Sequence, residues 1–362
     1  MPTTQLDEGP RTSAAYSSLR QRVMAMYPGV PLPPVPDMME ELSVSRATLD
    51  KVYGLLEQQG FIERKSRKGV FVTDRLATGE VAIVLNRILM EPGSSPVYAR
   101  ASSLLRDGLH AFNPKWAVKL HLGVRAETGP ELPATLDLLE PHVLPRLRGV
   151  LSFHPLDELE DQLAAADVPV VYLGVDVPAW GPGVFLDRGQ MLRDGIRHLA
   201  ESGCRGVSLL HSRYVGKSAP RFGVQVPAVA AAAAECGLTF RDEWIGYEEG
   251  GWTERHGYKL FMRLWQNAER PDGIMVADDI LCHGVLRAIL ELQLELPRDL
   301  RLVTHASRGI ELPFHRPVSR VEYDSEEWAN KAVRMLEARV RGIPLEAPAE
   351  ILRATLVRGE TT

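Results

Sequence analysis

The sequence predicts an α/β body of two doubly wound parallel-sheet lobes, preceded by a small α+β winged helix-turn-helix domain. Three observations predict it. At 362 residues the chain is too long for one ordinary core. Residues 11–75 hold ten Lys/Arg against seven Asp/Glu, although the whole chain carries a net charge of −5. From residue 80 onward, short apolar runs alternate with amphipathic stretches of helical period, the pattern of repeated βαβ units.

The basic block is read first. Leu19, Val23 and Met26 recur at helical spacing and predict a helix over Ser13–Tyr27, ended by Pro28-Gly29. The four prolines of Pro31–Pro36 predict an extended entry, with Asp37 capping a short helix that carries Met38, Met39 and Leu42. Ser45 is placed to cap a helix over Arg46–Gln59. There Leu49, Val52, Tyr53 and Leu56 share one face, Arg46 and Lys51 fall mainly off it, and Gly60 takes the position after the cap. Phe61–Arg64 and Val70–Val72 read as two short strands joined by Lys65-Ser66-Arg67-Lys68-Gly69, a basic hairpin tip.

Two short helices, a tight break and a basic hairpin suit DNA. A helix N-terminus fits a major groove about 12 Å wide, and cations beside it meet phosphates. The string Leu32-Pro33, Asp37–Leu42, Val44-Ser45-Arg46, Thr48, Leu55-Leu56, Gly60–Arg64 and Gly69–Val72 resembles the GntR-type winged helix. The resemblance implies DNA contacts from Ser45, Arg46 and Thr48 and from the wing at Lys65, Arg67, Lys68 and Gly69, with Lys51 and Arg64 as flanking cations. Pro34-Val35-Pro36 stands where that family usually has Ser-Glu-Arg, so one contact is expected to be missing.

Beyond a short linker, Val81–Leu85 reads as a strand buried on both faces. The expected order continues with helix Val97–Phe112, strand Ala117–Leu122, a broken helix over Leu132–Leu147, strand Gly149–Phe153, helix Leu156–Ala166 and strand Val168–Leu173. It then runs through helix Arg188–Ser202, strand Gly206–His211, helices Phe222–Cys236 and Thr253–Gln266, strand Gly273–Val276, helix Asp279–Leu292 and strand Leu300–Thr304. Val318–Tyr323, helix Ser325–Arg341 and a closing strand Ile351–Arg358 end the chain.

The segments His198–Val207, Arg221-Phe222-Gly223, Pro271–Asp279, Gly284, Leu296–Asp299 and Val318–Tyr323 resemble, in order and spacing, the effector half of LacI/GalR-type repressors, the periplasmic-binding-protein-like I fold. The resemblance implies a small-molecule cleft between lobes, with ligand-facing groups at the C-terminal ends of strands. Domains are expected at 11–74, a linker at 75–79, and a body at 80–360. Its lobes are expected at about 80–182 with 322–343, and about 183–321 with 344–360.

Candidate ligand residues each carry a plainer alternative. Arg221 matches an arginine that reaches ligand hydroxyls or carboxylates, or makes a surface ion pair. Asp278 matches a ligand acceptor, with Asp279 beside it as helix cap. Asp187 faces the cleft or caps a helix. Tyr98 and Trp116 stack on a sugar face or belong to the core. His305 ends a strand as a ligand group or an ordinary loop histidine. Gly174, and Ala306-Ser307, stand where the family often has aspartates, which weakens a simple sugar as ligand.

Other classes fit poorly. No nucleophile elbow, zinc-protease or phosphate-loop motif occurs, and Gly181-Pro182-Gly183 lacks the rest of a dinucleotide fingerprint. No His/Cys pair has metal-ligand spacing, so no metal and no cofactor is expected. Three cysteines without CxxC, no run of 18 apolar residues and a polar N-terminus predict a reduced cytoplasmic protein away from membranes. The expected partners are a double-stranded DNA operator, a small-molecule effector such as a sugar derivative, and a second copy of the chain. Helices Trp328–Val340 and Val97–Phe112 are expected at the dimer contact. The rival reading is a ligand-free constitutive DNA-binding repressor or architectural protein with a vestigial cleft.

Overall fold

The computed structural model describes residues 10–24, 26–73, 79–86, 90, 94–123, 136–140, 143–156, 158–175, 180–213, 225–249 and 253–362. The N-terminal unit consists of α1 (Pro10–Met24), α2 (Val35–Leu42), α3 (Arg46–Gln58), β1 (Ile62–Lys65) and β2 (Gly69–Val72). Leu19, Met38, Leu49, Val52 and Leu56 are fully buried together and form its core. Helix α2 begins earlier than expected. Pro34 is its cap position and a proline lies in its first turn, where no backbone N–H is needed, so Asp37 is helical rather than capping. Leu32 N–H donates to the Val70 carbonyl and Val72 N–H to that of Val30, adding a third short extended segment beside the wing.

The body holds two six-stranded sheets. The first contains β3 (Gly79–Asn86), β4 (Trp116–Gly123), β5 (Leu147–Ser152), β6 (Val170–Val175), β7 (Gly183–Leu186) and β13 (Ala349–Leu352), ordered β13-β7-β6-β5-β3-β4 and parallel throughout. The second contains β8 (Val207–Arg213), β9 (Ile245–Glu249), β10 (Gly273–Val276), β11 (Arg301–Ser307), β12 (Ser319–Tyr323) and β14 (Thr355–Val357), ordered β14-β12-β11-β10-β8-β9, with only β14 antiparallel. Both faces of each sheet are covered. Along β3, Val81, Ile83 and Leu85 pack into one apolar cluster and Ala82 and Val84 into another, the period of two expected of a strand between helix layers.

In lobe 1 those layers are α4 (Val97–Phe112) with α10 (Ser325–Val340) on one side and α5 (Glu158–Ala165) on the other. In lobe 2, α6 (Arg188–Glu201) and α7 (Gln225–Glu235) face α8 (Glu254–Trp265) and α9 (Asp279–Glu291) across the sheet. Helices α8 and α9 cross closely at two glycines. A Cβ on Gly257 would strike the Leu281 backbone, and one on Gly284 that of Glu254.

Several expectations change. Strand β7 pairs with β6 and β13, so lobe 1 runs through Leu186, not 182. The closing strand is two strands: β13 joins lobe 1 and β14 joins lobe 2, because the chain crosses between sheets at residues 353–354. Lobe 1 is therefore 79–186 with 325–352, and lobe 2 is 187–323 with 355–362. Gly79 already pairs with Trp116, so the expected linker ends before it; residues 75–78 lie outside the described residues. The expected helix over Leu132–Leu147 is, where described, two single turns at Leu136–Leu139 and Leu144–Arg146, because prolines interrupt it. Strand β9 was not expected at all. Helix α10 buries Trp328, Ala332, Val333 and Leu336 inside lobe 1, so its apolar face packs there.

Three chain crossings join the lobes, and polar side chains brace them. Asp187 caps α6 by accepting from Gln190 N–H at 2.8 Å, and Asp324 caps α10 by accepting from Glu326 and Glu327 N–H. The Gln190 amide then grips the third crossing, accepting from Ala354 N–H at 2.8 Å and donating to its carbonyl at 3.0 Å.

Candidate DNA-reading end and interlobe cleft

At the first turn of α3, Ser45 Oγ accepts from Thr48 N–H at 3.2 Å and lies 3.0 Å from the Thr48 hydroxyl. This fixes the helix N-terminus while leaving Ser45 and Arg46 exposed. Arg46 is only loosely paired, 3.8 Å from Asp50 one turn on. Lys51 is also exposed.

The wing divides into bound and free cations. Arg64 is clamped to α3: its backbone N–H, Nε and Nη2 all reach the Glu57 carboxylate at 2.7–2.9 Å, which holds that carboxyl below its usual range. The structure thus gives Arg64 an internal role that differs from the expected DNA contact. Lys65 pairs with Glu63 at 3.2 Å and stands over the Phe71 ring. Arg67 and Lys68 are exposed, with no ion pair among the described residues; Arg67 adopts a left-handed φ of 60° and Gly69 one of 111° as the tip turns.

The second group of candidates meets at the C-terminal strand ends between the lobes. Asp278 takes the cap position of α9, but its Oδ2 turns to β8, accepting from Ser212 N–H and Oγ at 2.9 Å each. Asp279 is the first residue of α9 and is buried. Its Oδ2 accepts from Ser95 Oγ at 2.7 Å, a hydrogen bond from lobe 2 to lobe 1. Its Oδ1 accepts from Ile280 N–H at 2.7 Å, so Asp279 satisfies a first-turn N–H, as expected of a cap, while its other oxygen bridges the lobes; Asp278, at the cap position itself, makes no cap bond. Tyr98, in the first turn of α4, sets its ring edge-on to Phe153 at 5.7 Å. Its phenol is pushed up to about 12, chiefly by burial, with Arg188 acting against the shift and the Asp278 and Asp279 charges adding to it. His305 packs edge-on to Tyr323 at 5.4 Å. Burial lowers its pKa, opposed first by Asp279 and then by Asp278, while Arg188 lowers it too. Tyr98, Asp278, Asp279, His305 and Arg188 therefore share one electrostatic environment assembled from both lobes.

Other candidates stand apart. Trp116 is buried at the start of β4, edge-on to Phe112 at 5.0 Å, at the strand end away from the cleft; it is a core residue. Asp187 is spent as the α6 cap. Arg221 lies outside the described residues. Arg188, Ser95, Ser212 and Asp279 also stand in or beside this cluster and are not among the expected ligand residues. Arg188 had a visible signal, the first helical position after a strand end, whereas Asp279 had none beyond its neighbour.

The cluster offers two carboxylate acceptors, a phenol, hydroxyls, an imidazole and a guanidinium beside aromatic rings. That set suits a small polar ligand rich in hydroxyls. Among the described residues no group of three or more His, Cys, Asp and Glu is arranged to hold a metal, and no helix is long and apolar enough to cross a membrane.

Comparison with known proteins agrees with this division. Residues 11–72 match the profile of bacterial regulatory proteins of the gntR family, and residues 196–362 match the periplasmic binding protein-like domain. The HTH-type transcriptional repressor PurR of Mannheimia succiniciproducens is 23% identical over 180 residues, covering 47% of this chain and 51% of that one. The lactose operon repressor of Escherichia coli is 22% identical over 220 residues, covering 60% and 59%. The chain thus spans little more than half the length of these relatives. A solved complex of the transcriptional regulator CelR with cellobiose superposes with a TM-score of 0.63 at 20% identity, covering 88% of this chain and 92% of that one. At that identity the likeness is one of fold.

Proposed function

For a chain that joins a gntR-family winged helix to a periplasmic binding protein-like body, we propose the role of a dimeric DNA-binding transcriptional repressor whose operator affinity is set by a small molecule held between the lobes. The observation that carries it is the pairing of an open, capped helix N-terminus beside a free basic wing with a two-lobed cluster of acceptors and aromatics on the same chain. Ser45, Arg46 and Thr48 read base edges, and Lys51, Lys65, Arg67, Lys68 and the Gly69 turn meet phosphates. Asp278, Tyr98 and His305 hold the effector, with Asp279 and Arg188 beside them. Arg221 remains part of the proposed set by its resemblance alone.

A sugar or sugar derivative is the favoured class. The carboxylates can each accept from hydroxyls, Tyr98 offers a ring face, and the regulator CelR, similar in fold, was solved in complex with cellobiose. The dimer contact is proposed along the outer edge of lobe 1, where β4 is the last strand and exposes Leu120 and Leu122. Ligand closes or opens the lobes, and the two winged helices change spacing with them.

The test is selection of duplexes from a random pool by the full-length protein. A palindromic site with half-sites about one helical turn apart supports the reading. Binding without sequence preference, or by a monomer as tightly as by the full-length protein, contradicts it.

A further inference from the structure

Lobe 1 carries a second polar recess at the opposite edge of its sheet from the cleft. At the N-terminal ends of the strands, a cavity of about 770 Å³ is lined by Val170 and Tyr172 of β6, Trp180, Arg339 of α10, Ile343, and Arg20 reaching in from α1. That volume lies within the usual range of small-molecule sites. Tyr172 and Trp180 stand edge to face at 5.8 Å and form one wall.

The charges around it are unevenly spent. Glu160 accepts a hydrogen bond from the Tyr172 hydroxyl, and Arg20 forms an ion pair with Asp167. Arg339 is different. Its Nη1 donates to the neutral Val170 carbonyl at 3.2 Å, and among the described residues it meets no carboxylate. Burial disfavours its charge, which Tyr172 offsets in part. A guanidinium stays protonated in such surroundings, so a half-buried cation is left with donors in a planar fork and no anion. Glu160 and the exposed Asp161 on the facing wall oppose a multiply charged guest.

We propose that this cavity is a second small-molecule site, separate from the interlobe cleft. It takes an organic monoanion, a carboxylate or phosphate diester, with its anionic group on Arg339 and its apolar part against Tyr172 and Trp180. Such a ligand touches the winged helix as well as lobe 1. The roof residue Arg20 also stands 5.4 Å from the Phe61 ring, just past α3. Occupancy therefore favours the arrangement in which the winged helix is docked on lobe 1.

Calorimetric titration of the full-length protein with benzoate and with diphenyl phosphate, each a monoanion at neutral pH, tests this and separates the two anion classes. At least one probe is expected to saturate, with Arg339→Gln weakening it about tenfold or more. Ile343→Glu, at an exposed position of the rim, is expected to weaken it without disturbing folding. Asp278→Ala, in the cleft, should leave it unchanged. The proposal is overturned if neither probe saturates at millimolar concentration, if Ile343→Glu and a folded Arg339→Gln both bind as the parent does, or if Asp278→Ala abolishes binding.

Discussion

The first turn of α3 and the interlobe cleft use similar side chains in opposite ways. At α3 the polar groups are exposed and tied to near neighbours in the chain: Ser45 to Thr48, Arg46 to Asp50. In the cleft they are half-buried or buried and tied across long separations: Ser95 to Asp279 over 184 positions, Ser212 to Asp278 over 66. The first arrangement leaves its donors open to solvent, as a large external polyanion would need them. The second holds acceptors in low dielectric, where an unmatched group is costly and a matched ligand gains specificity. One end is built to be met and the other to enclose.

The two regions also have separate cores, and the largest expected effect exploits this. Leu49→Ala empties a fully buried position of the winged helix. It should destabilise that unit by about 2–5 kcal/mol. Denaturant unfolding followed by duplex binding and by body tryptophan emission should show the first transition moving and the second staying. A common shift would mean the regions unfold as one.

Ser95→Ala sharpens the cleft side. It leaves the buried Asp279 carboxylate without its partner from lobe 1, at a cost of about 1–3 kcal/mol to the body alone. Thermal unfolding reads this out, and an unchanged midpoint would remove the interlobe bond from the account.

On the open side, Arg46→Ala should weaken a selected operator by about 1–3 kcal/mol and relax one base position, whereas Lys68→Ala should weaken all duplexes alike and lower the salt slope by about 1. Equal effects from the two would erase the distinction between base reading and phosphate contact.

A pH titration separates the regions again. The chain has no histidine before His110. In the body, burial holds His305 and His198 below their ordinary value near 6.5. The folded body then binds fewer protons than the unfolded chain between those lowered values and 6.5, so its stability falls as pH drops below about 6.5 and is complete above it. His305→Asn should flatten that dependence in the body's transition and leave the winged helix's unchanged.

Legibility followed the same division. Helix α3 was readable because its cap, its apolar period and Gly60 are all local. So were β10 and α4, whose expected bounds match. Strand β9 was missed because Gly246, Tyr247 and two glutamates make an edge strand with little apolar content. The lobe assignments of β7, β13 and β14 depend on pairing partners more than a hundred residues away, which no window of sequence displays. Asp278, Tyr98 and His305, expected from their positions at strand or helix ends, lie together between the lobes. Trp116 was misplaced because an aromatic ring suits stacking on a ligand and packing in a core alike; its place at the start of the strand, at the end away from the cleft, already favoured the core. Asp279 and Arg188 were passed over because their roles arise only when the lobes meet.

The central claim is that the two regions are coupled, and reciprocity tests it most directly. Thermal unfolding of the full-length protein against sugars, sugar acids and sugar phosphates should identify a ligand whose shift is lost in Asp278→Ala. Operator affinity is then measured with and without that ligand, and ligand affinity with and without operator. The account predicts equal factors in both directions, about 5–150-fold. A ligand that binds the cleft and leaves operator affinity unchanged would contradict it.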